Sequence, residues 1–397
     1  MGHADRRFLI VAGEPSGDAH AAALVSALRE RGSCLVRGVT GPRLEAAGAE
    51  RVVSMDELSV LGFTAVIARL PQLWRAYHRL LEEAASLRPD ACVLVDSPGF
   101  NLRLGRELKR RGFRVFYYIA PQVWAWHPER AAEMGKWVDE LAVVFPFEEE
   151  LFRKAGVNAT YVGHPLMDAL SPEVDEARLR SELGIGEGRR IVGLLPGSRP
   201  GEIHHHVPNL MRAARLLAQG RPDLAFVLSL PARRGSVSAA ALPSDPEVRE
   251  LSGFEAPADP GSPPHPSCWM VRGRTHSVQA FASACAVASG TATLETALFG
   301  TPLAIVFRTG TFNYAIARRM VTLRRIGLPN IVTGQDVAPE LIQHEFTPER
   351  LAATLAPWLD DPAAHARQVA LLAQVRAKLG APGASEKAAA RLWEMSA

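Results

Sequence analysis

The sequence predicts an α/β protein made of two similar domains, each built around a mostly parallel sheet. Three observations predict it. Short, continuous apolar runs such as FLIVA (8–12) and ACVLVD (91–96) read as strands buried on both faces. Helix-period segments follow them: after 8–12, Ala22, Val25, Ala27 and Leu28 recur at helical spacing within residues 18–31. The order strand, glycine turn, helix then restarts at 189–217, RRIVGLLPGSRPGEIHHHVPNLMRAARLL, so the chain reads as two sheets and not one long one.

The elements run in order along the chain. After the strand at 91–96 come a helix at 102–111 and strands at 114–120, 140–145 and 159–163. The polar segment LSPEVDEARLRSELGIGEG (170–188) reads as the connection between domains. The second domain continues with strands at 224–230, 285–289 and 302–307, and residues 233–266, rich in Pro, Gly, Ser and Ala, read as a variable loop. From Pro348 to the end the pattern is helical. The domains are therefore placed at 1–170 and 186–360, with helices from about 365–397 completing the first.

Composition limits the function classes. A chain of 397 residues with 47% hydrophobic and 22% charged residues is that of an ordinary globular protein. A net charge of +3 is too mild to argue for nucleic acid. Cys34, Cys92, Cys268 and Cys285 form no C-x-x-C pair and suit a reducing compartment. The opening apolar run is too short for a signal-peptide core, and no stretch is long enough for a membrane-spanning helix, so any membrane contact is expected to be peripheral.

In open parallel sheets ligands bind beyond the carboxyl ends of the strands, and four turns there carry chemistry. GEPSGD (13–18) places Glu14, Ser16 and Asp18 before a helix. It is neither a dinucleotide fingerprint nor a P-loop. Its carboxylates repel phosphate and accept hydroxyls, which suits a sugar; helix capping by Ser16 or Asp18 is the alternative. LLPGSRPGE (194–202) offers Gly197, Ser198 and Arg199, a diphosphate-type turn in which arginine clamps an anion. ASGTATLETALFG (288–300) offers Ser289, Gly290, Thr291 and Thr293 to phosphate oxygens and Glu295 to ribose hydroxyls, or a plain N-cap. VLVDSPGFN (93–101) ends a strand on Asp96, either a general base raised by burial or the start of an Asx-type turn.

Other features read less sharply. His204, His205 and His206 diverge around a helix and cannot share one ion. PQVWAWHPER (121–130) carries Gln122, Trp124 and Trp126, tryptophans that stack on a sugar or pack in the core. Residues 58–81 mix Leu61, Val66, Ile67, Leu70, Leu73 and Trp74 with Arg69, Arg75 and Arg79, and 314–325 mixes apolar residues with arginines. Both fit an anionic lipid surface or core packing.

The motifs VAGEPSGD, VDSPGFN, APQVWAW, GHPLMD, LLPGSR, SGTATLE and LPNIVTG occur in that order. As a set they resemble the lipid-A-disaccharide synthases, across essentially the whole chain. The resemblance implies a GT-B architecture, two Rossmann-like domains with the active site in the cleft between them. It implies inverting transfer from UDP-2,3-diacylglucosamine to 2,3-diacylglucosamine 1-phosphate, giving the β-1′,6-linked disaccharide and UDP, without metal or cofactor. It assigns Asp96 as the base and Gly197, Ser198, Arg199, Ser289, Gly290, Thr291, Glu295 and Asn330 to the donor. Glu14, Ser16, Asp18, Gln122 and Trp124 fall on the acceptor side. It implies a cytoplasmic enzyme, peripheral on the inner face of the cytoplasmic membrane through residues around 61–74, and the C-terminal helices leave room for a homodimer. Relatives commonly carry a second aspartate where this chain has Gly99. The alternatives are another GT-B UDP-sugar enzyme, of the peptidoglycan lipid-intermediate transferase or UDP-GlcNAc epimerase type, or a non-catalytic UDP-sugar-binding protein.

Overall fold

A computed structural model describes residues 5–58, 63–123, 129–170, 174–231, 268–310, 314 and 324–397. The chain forms two compact units, one of residues 1–169 with 379–397 and the other of 170–378. Each is described by itself.

The first unit is built on seven strands: β1 (Arg6–Ala12), β2 (Cys34–Thr40), β3 (Glu50–Ser54), β4 (Ala91–Val95), β5 (Val115–Tyr118), β6 (Glu140–Val143) and β7 (Ala159–Tyr161). Their order is β3-β2-β1-β4-β5-β6-β7, and every pairing is parallel. The central strands β4 and β5 are buried at every residue, which is why they read as unbroken apolar runs. From β1 the chain winds outward one way to β2 and β3, and from β4 the other way. The β1/β4 seam is thus the point where strand order reverses, and in such sheets a ligand crevice opens there.

The second unit repeats the plan with β8 (Arg190–Leu195), β9 (Leu224–Leu230), β10 (Cys268–Arg272), β11 (Ala282–Ala288), β12 (Leu303–Phe307) and β13 (Glu340–Ile342). The order is β10-β9-β8-β11-β12-β13, again all parallel, with the reversal at β8/β11. The core on one face fills with Ile203, Val207 and Leu210 of the helix Pro200–Ala218 against Phe226, Leu228 and Val306.

The C-terminal helix Ala384–Met395 belongs to the first unit and packs on the helix Pro15–Arg31. Asp168 fastens it: its carboxylate accepts the N–H groups of Gly383 (2.6 Å) and Ala384 (3.1 Å), the orphan donors at that helix start. Arg6 stacks on Trp393 with 3.9 Å to the ring centroid. The aspartate of GHPLMD therefore serves the fold.

Candidate active site

In the first unit Ala12 of β1 lies opposite Val95 of β4, so the turns that follow them emerge side by side. Their contact is close: a Cβ on Gly13 would stand 2.9 Å from Ser97 Oγ, so a side chain there would make Ser97 shift. Asp96 and Ser97 both have φ of +48°, a left-handed pair that side chains rarely adopt. Buried neighbours hold it. The Asp96 carbonyl accepts from Asn101 Nδ2 (2.8 Å) and from Tyr117 Oη (2.7 Å), and Asn101 also donates to Val95 O (3.2 Å). The strained turn lifts the Asp96 side chain to the end of the strand, half-buried. Burial, and next the charge of Glu14, push its carboxyl up from 3.8 to about 6, while the Ser97 N–H pulls it down.

Glu14 and Ser16 are exposed at the start of the helix Pro15–Arg31, and Gln122 is exposed beyond β5. Asp18, expected with them, has another task. It is buried, and its carboxylate accepts the N–H groups of Gly41 (2.9 Å), Arg43 (3.0 Å) and Leu44 (3.1 Å), capping the short helix Pro42–Ala46. An acid that caps a neighbouring helix and one that meets a ligand look alike in a turn sequence. Trp124 and Leu61 lie outside the described residues, as do the side chains of Val66 and Ile67.

In the second unit Leu195 of β8 lies opposite Val287 of β11, which sets the Gly197–Arg199 turn beside the Ser289–Thr291 turn. Gly197 has φ of +103°. Glu202, three residues into the following helix, folds back: Oε2 accepts from Ser198 N–H (3.0 Å) and Arg199 N–H (3.2 Å), and Oε1 pairs with the Arg199 guanidinium (2.9 Å). A carboxylate thus sits on the donors of this turn, in the pattern of a capping box. At the second turn Ser289 Oγ donates to Ile326 O (3.1 Å), and the helix Thr291–Phe299 starts at Gly290 with no side-chain cap. Glu295, half-buried, has Oε2 3.2 Å from Gln279 Nε2 and 3.7 Å from His276 Nε2, and its carboxylate pushes the His276 pKa up.

Asn330, expected to line the donor site, is tied into the fold. It is buried, and both polar atoms of its amide are engaged: Nδ2 donates to Ala338 O (2.7 Å) and Glu340 Oε1 (2.8 Å), and Oδ1 accepts from Ala338 N–H (2.9 Å). Glu340 in turn accepts from Ile326 and Gly327 N–H. The LPN motif thus ties Asn330 through Glu340 to Ile326, whose carbonyl accepts from Ser289. Glu202, Asn101, Tyr117, Gln279, His276 and Glu340 were not singled out from sequence. Only Glu202 carried a local signal, the three-residue spacing of a capping box.

The family model for lipid-A-disaccharide synthetase matches residues 8–238 and 264–392. The chain belongs to the lipid-A-disaccharide synthetase family. The family's synthase from Geobacter metallireducens is 39% identical over 392 residues, covering 98% of this chain and 97% of that one. The one from Syntrophus aciditrophicus is 40% identical over 382 residues, covering 96% and 95%. Among solved structures, the UDP-GlcNAc 2-epimerase of Neisseria meningitidis bound to UDP-GlcNAc aligns with a TM-score of 0.60 at 10% identity, covering 98% of this chain and 99% of that one. The calicheamicin glycosyltransferase aligns with a TM-score of 0.56 at 19% identity, covering 99% and 98%. At those identities the likeness is one of fold, the GT-B arrangement of two parallel-sheet α/β domains. Membership of the lipid-A-disaccharide synthetase family makes this chain a glycosyltransferase of lipid A biosynthesis, with UDP-sugar and lipid substrates, in preference to an epimerase or a non-catalytic binder.

Proposed function

We propose that this chain transfers the sugar of UDP-2,3-diacylglucosamine to the 6-hydroxyl of 2,3-diacylglucosamine 1-phosphate with inversion, using Asp96 as its single general base. The observation that carries this reading is the Asp96 carboxyl itself, poised at about 6 at the strand-order reversal of the first unit. A base near the working pH is ionised and still takes up a proton. Asp96 accepts the hydroxyl proton as the acceptor oxygen attacks the anomeric carbon. The bond from that carbon to the phosphate oxygen breaks, and its electron pair leaves with UDP. Arg199 and the helix starts at Pro200 and Thr291 offset the charge gathering on the diphosphate. Ser198, Ser289 and Thr291 add donors, and Glu295 takes the ribose hydroxyls. Glu14, Ser16 and Gln122 line the acceptor side.

The same reading places the enzyme at a membrane surface. Among the described residues no helix is long and apolar enough to cross a membrane. The helix Phe63–Leu87 instead exposes Leu70 by 50% and Trp74 by 65%, one turn apart, with Arg75 and Arg79 exposed beside them. Apolar side chains edged by arginines suit an anionic leaflet, where both substrates reside.

The test is a mixed-micelle assay with both substrates. Wild type should release UDP and the disaccharide, and Arg199→Ala should raise the donor KM about tenfold or more, the loss of a charge-assisted contact of about 1.5–3 kcal/mol. Wild-type donor KM in the variant would remove Arg199 from the diphosphate seat.

A further inference from the structure

The histidine tract at 204–206 resolves into different environments, and His206 is fully buried. Its Nδ1 lies 2.7 Å from the Pro196 carbonyl oxygen, and its Nε2 lies 2.9 Å from the Arg308 N–H. A carbonyl only accepts and a backbone N–H only donates, so the proton sits on Nδ1 and the Nε2 lone pair accepts. The ring is therefore neutral and held in one tautomer. The rings of Phe346 and Phe307 flank it, with centroids 5.8 and 6.4 Å away.

The two partners lie at the ligand end of the sheet. Pro196 follows β8 and opens the Gly197–Arg199 turn; Arg308 follows β12. Between β8 and β12 runs β11, whose own turn carries Ser289 to Thr291. One imidazole thus spans the sheet edge on which the diphosphate turns stand. Glu202, one turn earlier on the same helix, grips the Gly197–Arg199 turn through Ser198 and Arg199 N–H.

We propose that His206 is a positioning residue of the donor site: by joining Pro196 O to Arg308 N–H it sets the Gly197–Arg199 turn against the loop after β12, and so aims the diphosphate donors. The proposal rests on reading that turn as the diphosphate seat. A neutral donor–acceptor pair in one rigid ring is what the position requires. Glutamine carries an N–H donor and a C=O acceptor across one carbon, the same relation as the two ring nitrogens. Leucine fills the space and offers neither.

The test measures UDP affinity by calorimetry and both KM values for the full chain as wild type, His206→Gln, His206→Leu and Arg199→Ala. His206→Leu should weaken UDP binding and raise the donor KM about tenfold, the equivalent of about 1.4 kcal/mol, with the acceptor KM unchanged. His206→Gln should recover most of the loss. Should the leucine variant not fold, His206→Met, which also fills the space and offers no donor–acceptor pair, should show the same loss. A folded leucine or methionine variant with wild-type UDP affinity overturns the proposal. So does a glutamine variant no better than leucine with donor and acceptor KM shifted alike, since a general packing defect does that. Arg199→Ala separates the two readings: if it binds UDP as wild type does, the seat itself is misplaced and both fall. If it binds weakly while His206→Leu binds normally, only the role of His206 fails.

Discussion

At the scale of single residues, the chemistry turns on why Asp96 holds a proton more firmly than an ordinary aspartate. Burial removes water from the carboxylate, and Glu14 adds a like charge, so the group rises from 3.8 to about 6. Between those values the folded chain binds the proton and the unfolded chain does not. Stability contributed here is present at low pH and is lost as pH rises through about 6, leaving a cost of about 3 kcal/mol at neutral pH. Turnover has the opposite dependence: kcat/KM should fall tenfold per pH unit below about 6, read from a pH profile in micelles, and a flat profile down to pH 5 would speak against Asp96 as the base. The residue was legible as an acid ending a buried strand. Its partner Glu14 was legible too, but not their neighbourhood, because 82 residues of chain separate them and only the β1/β4 pairing brings them together. Asp18 and Asn330 mark the reverse case. Each stands in a motif and spends its polar atoms within the fold, Asp18 on N–H groups 23 to 26 positions on and Asn330 on Ala338 and the Glu340 carboxylate, which no local pattern reveals.

At the scale of elements, the helix Pro98–Arg110 carries Gly99 where the family resemblance implies an aspartate. Gly99 lies exposed in its first turn, and a Cβ there meets nothing within 4 Å. Gly99→Asp should therefore fold, gain from the helix dipole, and push Asp96 up by like charge. The acid limb of the pH profile should move to higher pH; an unmoved limb would mean that the new carboxylate is screened from Asp96. The helix Phe63–Leu87 makes a second claim. Ala76, Leu80, Leu81 and Ala84 are buried, while Leu70 and Trp74 face outward. Replacing Leu70, Leu73 and Trp74 by serine should cut co-sedimentation with anionic vesicles at least about tenfold, given about 1.5–3 kcal/mol for each large side chain fully buried in an apolar phase, with UDP affinity kept. Unchanged sedimentation would assign membrane contact elsewhere. Sequence periodicity found the buried central strands and the long helices but passed over β2, β3, β10 and β13. Three of these are short, and β2, β3 and β10 mix exposed or half-exposed positions, including Arg37, Arg51 and Arg272, with the buried ones. Strands at or near a sheet edge lack the continuous apolar signature of its centre.

At the scale of the whole molecule, one plan is used twice. Both units reverse strand order between the first and fourth strands of their sheets, β1/β4 and β8/β11, and both carry their chemical turns there. The restart of strand, turn and helix at 189–217 made this legible, since a parallel sheet needs a helix between neighbouring strands. The return of the chain's last helix to the first unit was expected, but its tie was not legible: Asp168 reaches residues more than 200 positions on, which no local pattern shows. Asp168→Ala should cost about 1–2 kcal/mol, as for a lost helix cap, lower the melting temperature by a few degrees and open the C-terminal helix to protease. A wild-type melting curve would show that the helix's other ties, among them Arg6 on Trp393 and Arg391 to Glu140, hold it without the cap.

The central claim is that one aspartate is the base. Asp96→Asn keeps the shape and removes the charge. Turnover of UDP-2,3-diacylglucosamine and 2,3-diacylglucosamine 1-phosphate in micelles should fall at least about 100-fold, while UDP affinity is kept and the melting temperature stays at or above that of wild type. A folded Asp96→Asn variant that makes the disaccharide near the wild-type rate would contradict the account and place the base on another residue.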